Sequence, residues 1–182
     1  MDDLFFDFED GNGPVKAIRW GNGGGWVAFT AEVDSSVYIS GNARVYGYAR
    51  VYGNVQVYGN AQVYGDALVS DNARVCGNAR VYGDAQVYGD ALISVDARVS
   101  GNARVSGDAR VSGNAKVFKT PIHISGLQYS ITITETHLFA GCQGHKFEEW
   151  REFSAEKIAE MDGEQATKFY PELLKIIELF CS

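Results

Sequence analysis

A six-residue repeat runs without insertion through about half of the chain, from Val27 to Lys116. Each of its fifteen units begins with valine or isoleucine and places a small apolar residue, usually alanine, four positions later. Between these two residues most units carry a glycine followed by asparagine or aspartate. A fixed period of this kind is the sequence signature of a solenoid, in which each unit packs on its neighbours.

The residue types in the repeat predict a short strand followed by a tight turn. Valine is β-branched and favours strands, while glycine followed by asparagine or aspartate tolerates positive φ. Three units would close a triangular coil of eighteen residues, so fifteen units predict about five coils. The coils would stack at the strand spacing of about 4.8 Å, with the valine and alanine side chains inside. We therefore predict an all-β solenoid, a parallel β-helix over residues 27–122.

Both ends of a β-helix expose strand edges that need covering. Residues 1–26 are predicted to form an N-terminal cap, with apolar anchors in the segment 5–8 and a strand over Val15–Trp20. The glycine run at 21–25 lacks the spacing and the following helix of a phosphate-binding loop, so we interpret it as a turn.

Residues 123–182 are predicted to form a small, largely α-helical C-terminal cap. Tyr129–Glu135 alternates in polarity like a strand. Ser154 favours a helix over 155–161. An amphipathic helix is expected to end the chain, with Pro171 at or near its start. These helices either cover the end of the solenoid or form an interface.

Outward side chains eighteen residues apart should form columns along the solenoid. Tyrosine and arginine are enriched at contact surfaces, which makes two columns candidate binding surfaces, although stacked and solvated side chains are the alternative interpretation. The candidate residues are Tyr46, Tyr64 and Tyr82 in one column, and Arg44, Arg80 and Arg98 in the other. The acidic stretch Glu148, Glu149 and Glu152 is a second candidate surface. We expect a homo-oligomer, a dimer or trimer, formed through the tyrosines or the C-terminal helices.

Charge and cysteine content limit the partners. The net charge is −7, but the region 27–122 carries +1 while the segments before and after it carry −3 and −5. This distribution argues against direct nucleic-acid binding. The three cysteines fit no disulfide pattern, and the acidic N-terminus lacks a hydrophobic signal. We therefore expect a cytoplasmic protein without membrane contact.

His137, Cys142 and His145 are weak candidates for a metal site, with His123 as a possible fourth ligand. Zinc sites usually contain paired ligands at shorter, characteristic spacings, which this segment lacks. We interpret the three residues as shaping a turn before the helices. No metal or cofactor is predicted.

The segments flanking the repeat resemble a group of phage and prophage hexapeptide-repeat proteins that are often labelled transferases. The resemblance covers nearly the whole chain and rests on Gly24-Gly25-Trp26-Val27 before the coils, and on I-T-I-T-E-T-H at 131–137, Gly141-Cys142, His145, Glu149-Trp150 and Met161-Asp162-Gly163 after them. It implies a left-handed β-helix, against the usual right-handed crossover rule. It also implies a location in a bacterial host cell.

Two enzymes with similar folds, an acyltransferase and a carbonic anhydrase, are alternatives to a protein that binds a partner without catalysis. An acyl-CoA-dependent acyltransferase would typically carry a histidine in or beside the coils and a loop inserted between them, whereas residues 27–116 contain neither. A γ-type carbonic anhydrase would need metal-binding histidines on adjacent coils. We therefore expect a non-enzymatic binding protein, directed at a host or defence protein or a small anionic ligand, of the anti-CRISPR or nucleotide-sponge kind. The acyltransferase is the alternative.

Overall fold

Residues 4–180 are described by a computed structural model, in which short strands follow the six-residue repeat. Strands β1 (Phe5–Phe6) and β2 (Val15–Arg19) precede the coils. The solenoid strands are β3 (Trp26–Ala28), β4 (Glu32–Val33), β5 (Tyr38–Ile39), β6 (Arg44–Val45), β7 (Arg50–Val51), β8 (Gln56–Val57), β9 (Gln62–Val63), β10 (Leu68–Val69), β11 (Arg74–Val75), β12 (Arg80–Val81), β13 (Gln86–Val87), β14 (Leu92–Ile93), β15 (Arg98–Val99), β16 (Arg104–Val105), β17 (Arg110–Val111) and β18 (Lys116–Val117).

The strands of successive coils pair in parallel with a register of eighteen residues. Arg80, for example, lies opposite Arg98, and its backbone N–H donates to the carbonyl oxygen of Ala97 at 2.9 Å. The parallel pairs form three faces, β3–β6–β9–β12–β15–β18, β4–β7–β10–β13–β16 and β5–β8–β11–β14–β17. This register confirms the predicted parallel β-solenoid of about five coils. Its left hand stays a prediction.

The repeated apolar side chains fill the interior as predicted. From Val37 to Val117 every valine or isoleucine that begins a unit, and every small apolar residue four positions after one, is buried. Asp71 and Val95 occupy turn positions that usually hold glycine, and both still adopt the positive φ of that turn, 62°. Asp71 compensates by accepting a hydrogen bond from the N–H of Gly89 at 2.9 Å, whereas Val95 is a β-branched residue in an unfavourable backbone region.

The N-terminal segment adds two antiparallel strands to the first coil. Strands β1 and β2 extend the face that begins with β3, so the exposed edge of that sheet is covered. The Trp20 indole N–H donates to the carbonyl oxygen of Val37 at 2.8 Å. The predicted strand Val15–Trp20 is found as β2, one residue shorter.

The C-terminal cap contains more β-structure than its sequence predicted. An antiparallel sheet of β19 (Ile122–Ile124), β20 (Ile131–Ile133), β21 (His137–Ala140) and β22 (Gln143–Lys146) precedes α1 (Phe147–Glu152) and α2 (Ala155–Phe180). The expectation that His137, Cys142 and His145 shape a turn is therefore wrong for the two histidines, which lie in β21 and β22, whereas Cys142 lies in the turn between these strands. All four residues of β21 are buried, so this strand has no polar face to produce the alternation by which strands are recognised.

The long helix α2 is broken at Asp162–Gly163, where φ and ψ leave the helical region. The predicted first helix therefore ends near Gly163, as expected. Pro171 instead lies inside the second segment, well after its start, so that part of the prediction is wrong. The second helical segment starts after the break at Gly163 and not near Pro171.

The backbone N–H groups of the last coil have no further coil to donate to, and side chains of the cap accept their hydrogen bonds instead. The Glu135 carboxylate accepts from the N–H groups of Phe118 and Lys119 at 2.9 and 2.7 Å. The Thr120 hydroxyl accepts a hydrogen bond from the N–H of Arg104 on β16, and the Thr132 hydroxyl accepts one from the N–H of Arg110 on β17, at 3.2 Å each. Phe139 closes the interior, because its side chain is 2% exposed and belongs to the same apolar cluster as the coils.

Candidate binding surfaces

The predicted tyrosine column exists and its rings are stacked. The centroids of Tyr46 and Tyr64 lie 4.9 Å apart and those of Tyr64 and Tyr82 lie 5.0 Å apart, with planes within 5° of parallel. This spacing follows the stacking distance of the coils, which fixes each ring over the next. The column is therefore a rigid feature of the solenoid surface.

The first ring of this column is covered by the N-terminal cap. Phe8 stacks on Tyr46 with centroids 4.7 Å apart, and only 5% of Tyr46 is exposed. Burial raises the pKa of Tyr46 to about 12. The expectation that the column is exposed along its length is thus wrong for Tyr46, which serves as an anchor for the chain's own N-terminus.

Arg44 is engaged by the same segment. Its guanidinium lies 3.2 Å from the Glu9 carboxylate, donates to the carbonyl oxygen of Phe8 at 3.2 Å, and lies over the ring of Phe6. These contacts hold the cap on the first coils. The Arg44 guanidinium is therefore engaged within the chain and is not available to bind a partner.

The remaining cations of the second column form a continuous row, the cationic column, made of Arg80, Arg98 and Lys116. They face one another on β12, β15 and β18, and all three are exposed. Among residues 4–180 none of them forms an ion pair. Like charges directly opposite on neighbouring strands destabilise a sheet by up to about 1 kcal/mol per pair.

The other two faces avoid this arrangement. Leu92 separates Arg74 from Arg110 on one face, and on the other Leu68 and Gln86 lie between Arg50 and Arg104. Cations thus occupy directly neighbouring register positions without interruption on one face of the solenoid only, as far as the described strands show. Local arrangements that oppose stability in this way tend to lie at functional sites.

Tyrosine hydroxyls adjoin the cationic column. The pKa of Tyr64 is raised, chiefly by burial and also by Tyr82, while Arg80 and Arg98 partly oppose the rise. Tyr64 is therefore a neutral hydrogen-bond donor at physiological pH. A cleft of about 300 Å³ opens between the N-terminal segment and this face, lined by Phe8, Glu9, Asp10, Tyr46, Gln62, Tyr64 and Arg80.

The acidic stretch of the C-terminal cap is only partly available to a partner. Glu149 accepts a hydrogen bond from the N–H of Lys146 at 2.9 Å, which caps α1, and lies 3.8 Å from a ring nitrogen of His145. Glu148 and Glu152 are exposed. The predicted second surface therefore consists of two exposed carboxylates and one structural carboxylate.

The weak metal candidates are not brought together. His137 opens β21 and contacts Asn114 and Thr136 through its two ring nitrogens, at 3.2 and 2.8 Å, while Cys142 is exposed in the hairpin turn. His145 packs edge-on against Trp150. Among residues 4–180 no group of three histidine, cysteine or acidic side chains is arranged to hold a metal ion.

Comparison with known families supports the fold and leaves the function open. A family model described as the YdcK beta solenoid repeat matches residues 38–53, 55–71, 61–75, 73–89 and 97–113. Comparison with curated proteins gives no significant match. The chain therefore contains β-solenoid repeats similar to those of that family, in a fold that by itself implies no reaction. No helix within residues 4–180 is both long and apolar enough to cross a membrane.

Sequence reasoning identified Phe8 as an apolar anchor of the N-terminal cap, but it missed the contact of Phe8 with Tyr46 and the role of Glu135. Phe8 lies 38 positions before Tyr46, and Glu135 lies well beyond the last coil, so no repeat register connects either residue to its contact. The sequence did carry one signal for this contact, since an aromatic residue within an acidic segment, such as Phe8, indicates packing against an apolar partner. Lys116 belongs to the same column by its position eighteen residues after Arg98, which the sequence alone shows.

Proposed function

We propose that this protein is a non-enzymatic binding protein that holds an anionic partner along the cationic column. The observation that carries the proposal is the uninterrupted, unpaired row of Arg80, Arg98 and Lys116. A partner that presents carboxylates or phosphates would relieve the repulsion within this row. Arginine also suits such a partner because its guanidinium can bind two oxygens at once.

The solenoid gives this surface a fixed geometry. Each cation is attached to a strand that is hydrogen-bonded to a neighbouring coil, so its position is set before a partner arrives. Preorganisation lowers the ordering cost of binding. The partly exposed Tyr64 and Tyr82 beside the column add hydrogen-bond donors and apolar area, as is common at binding hot spots.

The resemblance to phage and prophage proteins favours a partner in the bacterial host. An inhibitor of a defence protein, of the anti-CRISPR kind, would meet carboxylates on a protein surface. A sponge for signalling nucleotides would meet phosphates. Both targets offer oxyanions to the same column, so one set of variants tests both.

Affinity capture from a bacterial lysate, followed by mass spectrometry of proteins and nucleotides, tests the proposal. The double variant Arg80→Glu/Arg98→Glu should lose the captured partner. The matched control Arg74→Glu/Arg110→Glu has the same charge change at exposed positions of another face and should keep it. Capture should also weaken as salt is raised, because screening acts on exposed charges.

Two results would contradict the proposal. Equal loss of capture in both double variants would show that overall charge, and not the cationic column, governs binding. Acetyl-CoA-dependent turnover on an amine, abolished by His123→Ala or His145→Ala, would establish the acyltransferase instead.

A further inference from the structure

The C-terminal cap encloses a cavity that is separate from the cationic column. It has a volume of about 230 Å³ and lies between the β21–β22 hairpin and the two segments of α2. Its walls are mainly apolar and include the aromatic rings of Tyr129, Trp150, Phe169 and Tyr170. Apolar walls with a few polar groups are typical of sites for small molecules.

The break in α2 creates this cavity. Gly163 adopts φ of 58° and ψ of −140°, a conformation that L-residues rarely adopt, and no atom lies within 4 Å of a Cβ built there. Position 163 therefore requires glycine because of its backbone conformation, since there is room for a larger side chain. The break directs the two helical segments along different sides of the cavity, which Ile158 lines from the first and Leu173 from the second.

One carboxylate at the cavity is incompletely neutralised. Asp162 accepts a hydrogen bond from the Tyr129 hydroxyl at 2.5 Å, and within residues 4–180 it has no cationic partner. The neighbouring carboxylates differ, because Glu160 pairs with Lys157 at 3.1 Å and Glu164 pairs with Lys168 at 2.9 Å. Asp162 is thus the acidic group that remains available where the cavity meets solvent.

The other hydroxyl at the cavity is already used. Tyr170 donates to the backbone carbonyl oxygens of Trp150 and Phe153, so it contributes its ring to the wall. The site therefore offers an aromatic enclosure with one anionic group at its edge. Aromatic faces and a carboxylate both attract a cation.

We propose that this cavity binds a small aromatic amine, with the ring among the aromatic side chains and the ammonium group at Asp162. The volume of the cavity limits the size of its occupant. A cavity of about 150 Å³ in another protein holds benzene. At the same volume per atom, the 230 Å³ cavity of this protein would hold about nine non-hydrogen atoms. The cavity is too small for more than one side chain of a partner protein. It would give the protein a ligand site independent of the anionic partner proposed above.

Protein NMR titration of the full chain with 2-phenylethylamine tests this site, and neutral 2-phenylethanol serves as the matched probe of the same size. We expect saturable binding of the amine in the millimolar range or tighter. Asp162→Asn should weaken amine binding about tenfold and leave the alcohol unchanged. Equal affinity of amine and alcohol for the unaltered protein would overturn the role of Asp162.

A cavity-filling variant locates the ligand. Ala166 lines the cavity, so Ala166→Trp should weaken amine binding at least about tenfold, whereas Ala159→Trp, at an exposed position of the same helix outside the cavity, should not. Absence of saturable amine binding, or equal binding by the two tryptophan variants, would overturn the proposal.

A measurement on the unaltered protein covers the case in which Ala166→Trp fails to fold. Cys142 lines the cavity and is exposed, whereas Cys76 lies on the solenoid. The amine should slow alkylation of Cys142 by N-ethylmaleimide and leave that of Cys76 unchanged. Equal rates at Cys142 with and without the amine would count against the site.

Discussion

Replacement of Phe139 by alanine should detach the C-terminal cap from the solenoid. Its side chain is 2% exposed and completes the apolar interior of the coils, although it belongs to a strand of the cap. An aromatic side chain buries about 150 Å² or more, which at about 25 cal/mol per Å² is worth roughly 4 kcal/mol. Measured phenylalanine-to-alanine substitutions in protein cores cost about 3–5 kcal/mol. We expect a loss in that range.

Gly144 provides an internal check on this reasoning. It pairs with Phe139 across the hairpin, and a Cβ at position 144 would lie 2.2 Å from Cδ1 of the Phe139 ring. Gly144→Ala should therefore cost about 1–3 kcal/mol in the native background through overpacking. In the Phe139→Ala background the ring is absent and most of this cost should disappear. The two substitutions should thus couple by about 1–3 kcal/mol.

Urea denaturation monitored by circular dichroism gives the free energies of unfolding for the four members of this cycle. Hydrogen exchange should show faster exchange in strands β15 to β18 of Phe139→Ala, because these strands lose their cover. Phe29→Ala is the matched control, since Phe29 is 63% exposed. A loss below about 1 kcal/mol for Phe139→Ala, or additive effects of the two substitutions, would refute the role assigned to Phe139.

Four further substitutions and one measurement of mass test other parts of the structure. Val81→Asp should unfold the middle coils, because an unpaired buried carboxylate costs several kcal/mol, as urea melts will show. Val95→Gly should raise the free energy of unfolding by about 1 kcal/mol in the same assay, because valine is strained at φ of 62°. Burial lowers the pKa of His145, so the unfolded chain takes up its proton first and the free energy of unfolding should fall as pH drops below about 6.5; His145→Phe should reduce this slope in melts across pH. Light scattering should show a dimer or trimer, and Tyr82→Ser should reduce the mass if the tyrosine column forms the interface.

Each of these expectations has a result that would contradict it. A Val81→Asp protein with native stability would mean that position 81 does not face the interior. Destabilisation by Val95→Gly would show that the valine side chain contributes more than its backbone strain costs. An unchanged pH slope in His145→Phe would assign the acid sensitivity to other groups, and a monomer at micromolar concentration would exclude the predicted oligomer.

The sequence by itself determined the repeating part of this protein. A strict period of six fixes which side chains point inward and which residues stack, because each contact in a coil is repeated eighteen residues later. The sequence alone therefore places Val81 inside the coils and the row from Arg80 to Lys116 outside them. The parallel pairing followed from the same regularity.

Only the tertiary structure decided what covers the repeat. Phe8 and Glu9 reach Tyr46 and Arg44 across more than thirty residues, and Phe139 enters the solenoid interior from a separate sheet. Such contacts occur once and leave no periodic signal. The cavity beside Asp162 likewise depends on where two helical segments lie after a single backbone break. Local patterns constrain repeated, short-range contacts, whereas these singular long-range contacts are set by the packing of the whole chain.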